Sequence, residues 1–354
     1  MLKASNCVGR VILSGCLIAG GLNWAVADQS SSIIPDLQAA AESILSAGVR
    51  EYGADAGCAI LMDAKTGWIL AVAAAGATND VPLLTRAQEL GSVVAPLAIA
   101  AAIESDPAKY GPETAYDTSR DDPRYEKLPS DGGHQWFPTM TLRDALAKSS
   151  NIVLGKLSWD VGPEVLFDTY SRFGLGCATG VWGENEPSGF LLNPRRRPWG
   201  AASRSRMGIG QGLTVTPIQI VSAYQALANK GVRLKPQLSK KSPQELSHPV
   251  SPETAAKVLE MMTAVVSERG TARRAKIEGM KVVGKTGTAM KQIDGVPTPD
   301  QRLASFCGIV PADCPRLVAM VLLDFSKGAA CHQGGNTAAP IWRKIAIAAL
   351  RMRN

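Results

Sequence analysis

The chain has 354 residues, 45% hydrophobic and 19% charged, with a formal net charge of +7. That is the length of one large domain or two ordinary ones, and the composition supplies a packed core, which excludes a chain disordered throughout. The mild positive excess suits work near an anionic polymer or a membrane face, and equally suits a solvated basic surface.

Residues 1–27 read as a secretory leader. Lys3 and Arg10 form a positive start, Val11–Leu22 is apolar, and Ala25-Val26-Ala27 is a small-x-small cleavage pattern. Leu13-Ser14-Gly15-Cys16 resembles a lipoprotein box, but only five residues separate Arg10 from Cys16. Cleavage after Ala27 is therefore the expectation, with an uncleaved membrane anchor as the alternative. Loss of Lys3 and Arg10 with the leader lowers the charge to +5. The mature unit is then 28–354, exported to the periplasm or the outer face of the cytoplasmic membrane. Loose order is expected near Gln29–Ser32 and around Ser239–Pro252.

Asp36–Arg50 has helical spacing of apolar residues. Next, "GCAILMDAKTGWILAVAA" is two apolar runs around Asp63-Ala64-Lys65-Thr66-Gly67, which predicts a β-hairpin. A helix-rich middle follows, with the Glu89–Glu104 run, Leu142–Lys156 and Thr216–Asn229, the last opened by a Thr216-Pro217 cap and stopped by Gly231. Another helix opens at Ser251-Pro252 and ends near Gly270. "MKVVGKTGT", "LASFCGIV" and "LVAMVLLDF" are three strands, and Pro340–Arg351 is a closing helix. Two strands open the domain and three close it. The predicted fold is α/β, of the α+β kind: a five-stranded antiparallel sheet flanked by helices, with a helical insertion over about 78–270. A cleft between sheet and insertion is the expected site.

Five cysteines lie beyond the leader: Cys58, Cys177, Cys307, Cys314 and Cys331. The number is odd and the spacing fits no metal knuckle. Cys58 and Cys307 lie in apolar strands and read as buried free thiols. His134, His248 and His332 are scattered, and none has a second ligand at metal-like spacing. Arg195-Arg196-Arg197 is either a local anion contact or solvated surface.

Three short elements could line the cleft. Each alone has a bland reading. Ser92 before an apolar run is a helix cap, Ser149-Ser150-Asn151 is a turn or cap, and Lys285-Thr286-Gly287-Thr288 is a solvated strand edge. Together they make an acyl-transfer site. A serine oxygen attacks a carbonyl, a Ser/Asn pair relays a proton and holds an amide, and a strand lysine neutralises a substrate carboxylate. Glycine beside that lysine lets a peptide lie close, and backbone N–H groups can bind the oxyanion.

This order resembles the transpeptidase domain of penicillin-binding proteins, especially the class B cell-division type, over about residues 36–350. "GCAILMDAKTGWILAVA" is similar to the family's opening hairpin, and "LRDALAKSSNIVLGKL" to its second-motif segment. "MGIGQGLTVTPIQIVSAYQALANKGV" resembles the segment before the third motif. "GTARRAKIEGMKVVGKTGTA" and "ASFCGIVPADCPRLVAMVLLD" resemble the third motif and closing strands. The resemblance implies a penicillin-binding-protein/serine β-lactamase-like fold. It implies Ser92 as the acylated serine, Ser149 and Asn151 as the second motif, and Lys285, Thr286 and Gly287 as the third, followed by Thr288. The oxyanion hole would be the backbone N–H groups of Ser92 and Thr288. It implies peptidoglycan stem peptides ending in D-Ala-D-Ala as substrates and β-lactams as their mimics. Cell-division or cell-wall-synthesis membrane proteins would be partners. No cofactor, metal or nucleic acid is implied.

The family's first motif is Ser-x-x-Lys; here it is Ser92-Val93-Val94-Ala95. Three residues on is nearly one helical turn, so the lysine would share a face with the serine and take its proton. A methyl group cannot. No serine in the chain has a lysine three residues later, so a shifted register does not restore the motif. Leu90 also replaces the proline usual before the Gly-Ser pair. The expectation is a folded domain with a binding cleft that acylates slowly or not at all. The alternative is an active transpeptidase or carboxypeptidase using Lys148 or Lys285 as substitute base. Only about 30 residues separate the leader from the hairpin, so a near-minimal transpeptidase domain without a pedestal domain is expected.

Overall fold

A computed structural model describes residues 30–76, 83–131, 138–293, 296–325 and 333–352. The leader, Cys331, His134 and His332 lie outside the described residues.

The hairpin forms as the sequence pattern requires. Strands β1 (Ala56–Asp63) and β2 (Ile69–Gly76) pair antiparallel, and β1 is buried along its whole length. Asp63 makes the turn, its Oδ1 accepting from the Lys65 N–H at 2.8 Å, the Thr66 N–H at 2.9 Å and the Thr66 hydroxyl at 3.0 Å. Helix α1 (Pro35–Tyr52) precedes the hairpin and packs on it, ending at Gly53 with φ +64°.

The middle of the chain holds α2 (Ala95–Ser105), the short pair β3 (Ala115–Asp117) and β4 (Thr139–Thr141), then α3 (Leu142–Lys148), α4 (Asn151–Val161) and α5 (Pro163–Arg172). It continues through α6 (Ala201–Arg206), α7 (Pro217–Ala228), the pair β5 (Arg233–Leu234) and β6 (Glu245–Ser247), and α8 (Pro252–Val266). Then come β7 (Val283–Ile293), β8 (Val296–Val310), β9 (Leu317–Phe325) and α9 (Ala338–Arg351). The main sheet has the order β2-β1-β9-β8-β7, all antiparallel, so the first and last strands of the chain meet at its centre. Trp342 of α9 is buried, donates Nε1–H to the Ala319 carbonyl at 2.8 Å, and meets the Phe306 ring edge-on at 5.1 Å.

Three sequence expectations are corrected. The Leu142–Lys156 run is not one helix: the left-handed Ser149 (φ +59°) ends α3, and α4 restarts at Asn151. Helix α8 stops at Val266, short of Gly270. The two segments expected to be loose are tied together. Ser31 bridges Ser239, the Lys240 N–H reaches the Ser30 carbonyl at 2.6 Å, and buried Ser32 donates to the Ile69 carbonyl at 2.7 Å. Polar composition misled there because the two segments bond to each other through their backbones, and Ser32 adds a side-chain bond to the first residue of β2. Cys58 and Cys307 are buried free thiols, while Cys177 and Cys314 are exposed and unpaired. Arg195 is occupied within the chain, making two hydrogen bonds to Asp168 at 2.7 and 2.6 Å.

Candidate active site

Ser92 sits in a 3-10 turn, Gly91–Val94, that leads directly into α2. Neither the turn nor α2 has a side-chain cap, so Ser92 is not a helix cap. Its side chain is half-buried and lines a cleft of about 310 Å³. Two contacts fix the turn. The Tyr224 hydroxyl of α7 donates to the Val93 carbonyl at 2.8 Å. Gly91, at φ +66°, lies so close to β7 that a Cβ there would stand 3.0 Å from the Thr288 carbonyl oxygen and 3.5 Å from its nitrogen. Gly287 has the same use on the strand: a Cβ there would run into the Leu90 carbonyl and the Ser305 hydroxyl. The glycines thus bring the backbones of the serine turn and the lysine strand into contact.

Ala95, one helical turn after Ser92, is fully buried, with 0% exposure. No amine stands on that face of α2. The Nζ of Lys148 donates to the Arg269 carbonyl at 2.7 Å.

The left-handed Ser149 turns its hydroxyl to Lys285, whose Nζ donates to Ser149 Oγ at 2.8 Å and to the Thr286 carbonyl at 3.1 Å. Residues 149 and 285 meet only because the insertion folds back on β7. Lys285 is 0% exposed, so the solvated-edge reading of this strand fails. Burial without a neighbouring carboxylate brings its amine down to about 7. Thr286 shares a hydrogen bond with Thr271 at 3.0 Å, and Thr288 Oγ1 accepts from the Gly334 N–H at 3.3 Å. Asn151 opens α4, lines the cleft, and donates Nδ2–H to the Ser130 carbonyl at 2.8 Å.

Asp131 is a residue the sequence did not reveal. It is buried. Its Oδ2 accepts from the Ser150 hydroxyl at 2.8 Å, and its Oδ1 from the Ile152 N–H at 3.0 Å. Ser150 Oγ in turn accepts from the Val153 N–H at 3.3 Å, so the two side chains together satisfy the start of α4. Glu89 and Arg206 also line the cleft unannounced, Glu89 accepting from the Gly212 N–H at 2.8 Å. Gly212 falls in the Gly-Gln-Gly stretch, which was legible; the two charged residues belong to no motif.

Ser92, Asn151 and Thr288 therefore face one cleft, and Lys285 and Ser149 form one pair. The cleft lies between an antiparallel sheet completed by both chain ends and the helical insertion. The profile of the penicillin binding protein transpeptidase domain matches residues 57–346. The chain belongs to that family. It is 32% identical over 329 residues to penicillin-binding protein PbpB of Mycolicibacterium smegmatis, covering 84% of this chain and 50% of that one. It is 30% identical over 342 residues to the peptidoglycan D,D-transpeptidase FtsI of Escherichia coli K12, covering 91% and 56%. The chain thus spans about half the length of these relatives. The apo transpeptidase domain of Burkholderia pseudomallei penicillin-binding protein 3 superposes with a TM-score of 0.80 at 29% identity, covering 92% of this chain and 97% of that one. Apo penicillin-binding protein 3 of Mycobacterium tuberculosis gives 0.80 at 29%, covering 91% and 78%.

Proposed function

We propose that this chain is an exported transpeptidase-family domain of peptidoglycan synthesis or division. In this reading its cleft binds D-Ala-D-Ala stem peptides and β-lactams, but Ser92 is acylated slowly or not at all. One observation carries the reading: the residue one turn after Ser92 is the buried methyl of Ala95, where the family's first motif has its lysine. A positioned general base contributes roughly 10²–10⁴ in rate. A fluorescent penicillin tests it. The wild type labels slowly, Ala95→Lys labels about 10²–10⁴-fold faster, and Ser92→Ala does not label. A wild-type rate that Ala95→Lys leaves unchanged overturns the reading.

A second reading has its own support. Lys285 is an amine brought down to about 7 and bonded to the Ser149 hydroxyl. Such a pair is the form a substitute base would take, with Ser149 passing the Ser92 proton to Lys285 and the serine oxygen attacking the carbonyl. In that case wild-type labelling is fast, rises with pH through about 7, and is lost in Lys285→Met. Membrane proteins of division or cell-wall synthesis remain the proposed partners.

A further inference from the structure

A second cavity, of about 460 Å³, shares no lining residue with the cleft at Ser92. It lies where the β1–β2 turn, the end of α7, the first half of α8 and the β8–β9 turn converge. That volume is in the range of specific ligand sites, roughly 300–1,000 Å³. Leu227 and Ala255 supply a buried apolar floor, and Leu259 is half-buried beside them.

The charges around the floor do not balance. Lys65, Lys230 and Lys281 line the cavity and are exposed. Among the described residues none of the three ammonium groups makes an ion pair or hydrogen bond. Two acids line the cavity against the three lysines, and only one of them faces a cation. Glu260 is held by Arg143 at 3.3 Å, and Asp313 Oδ1 accepts from the Cys314 N–H at 3.1 Å. With three cations and two anions, the lining keeps a positive excess of one over an apolar surface.

We infer that this cavity is a docking site for an acidic peptide segment of a partner protein, an apolar side chain seated on the floor with carboxylates on either side. The three lysines stand on three different segments that border one apolar floor. A floor of Leu227 and Ala255 beneath ammonium groups suits a ligand that brings an apolar side chain and carboxylates together, as a peptide does and a free phosphate does not. The inference is independent of whether Ser92 reacts.

The test uses the full chain and an acetylated Glu-Asp-Leu-Asp-Glu peptide carrying a neutral fluorophore, read by polarisation. Saturable binding is expected, weakened about tenfold or more by Lys65→Glu/Lys230→Glu/Lys281→Glu, by the Gln/Asn counterpart of the peptide, and by added salt. The exposed Cys314 lines the same cavity, so unlabelled peptide should slow its alkylation severalfold and leave that of Cys177 unchanged. An unchanged melting temperature shows that the triple variant folds; if it does not fold, the single Lys→Gln changes at each site, each weakening binding severalfold, take its place. Absence of binding, equal binding of the amide peptide, indifference to the lysine changes, or binding of anionic phospholipid vesicles in place of the peptide would each overturn the inference.

Discussion

At the scale of single residues, the site is governed by where amines are and are not. Ala95 removes a charge from a helix face that is wholly buried, so its loss carries no stability penalty and relieves desolvation. Lys285 keeps a buried amine, and its pH dependence follows. The unfolded lysine titrates at 10.5 and the folded one at about 7. Between these values the unfolded chain holds a proton that the folded chain does not, so stability rises with pH across that window and the burial cost is greatest below about 7. Lys285→Met removes the amine at similar size. Its stability relative to the parent should be about 2–3 kcal/mol more favourable near pH 6 than near pH 9, measured by urea unfolding at both. A parent and variant whose difference is the same at both pH values would show that Lys285 stays charged in the fold.

Among the elements, the decisive one is the corner between α3 and α4. The sequence pattern ran through it as one helix, because Leu142–Lys156 has no glycine or proline before Gly155. What breaks it is tertiary. Asp131, distant in sequence, takes the Ser150 hydroxyl and the Ile152 N–H, and Ser149 moves to the left-handed region, with its hydroxyl on Lys285. Asp131→Ala leaves a buried hydroxyl and a helix N–H without partners. The expected cost is about 1–3 kcal/mol, seen as a lower melting temperature. Binding of a D-Ala-D-Ala peptide should weaken with it because Asn151 loses its fixed start of helix. Asp131→Asn, which keeps one acceptor, should recover part of both. The three motifs were legible because their residue types are unusual together. The carboxylate that shapes one of them was not, since an aspartate before a glycine pair looks like any turn.

For the whole molecule, the sheet was legible almost strand by strand: apolar runs bounded by turns marked all five strands, and the pairing of both chain ends followed from their number. The polar segments at 30–32 and 239–252 were not, because their order comes from pairing: residues 30–32 with 238–240 and with Ile69, and 245–247 with β5, rather than from any apolar pattern of their own. Closure at the other end depends on Trp342, against Phe306 and the Ala319 carbonyl. Trp342→Ala should cost about 3–5 kcal/mol, visible as a drop in the urea midpoint, without altering any residue that lines the cleft.

The meeting of β1 with β9 also sets the order in which the molecule can be made. Asp63 pairs with Leu317, so the first hairpin waits roughly 250 residues of synthesis for the strand that covers its inner edge. Such long-range pairing folds slowly and leaves an apolar edge open meanwhile. Lys285, which holds Ser149, stands on β7, and β7 is tied to the rest of the sheet through β8 and β9. The pocket is therefore expected among the last parts of the protein to form, and a chain cut short before β9 should fail to fold rather than bind more weakly.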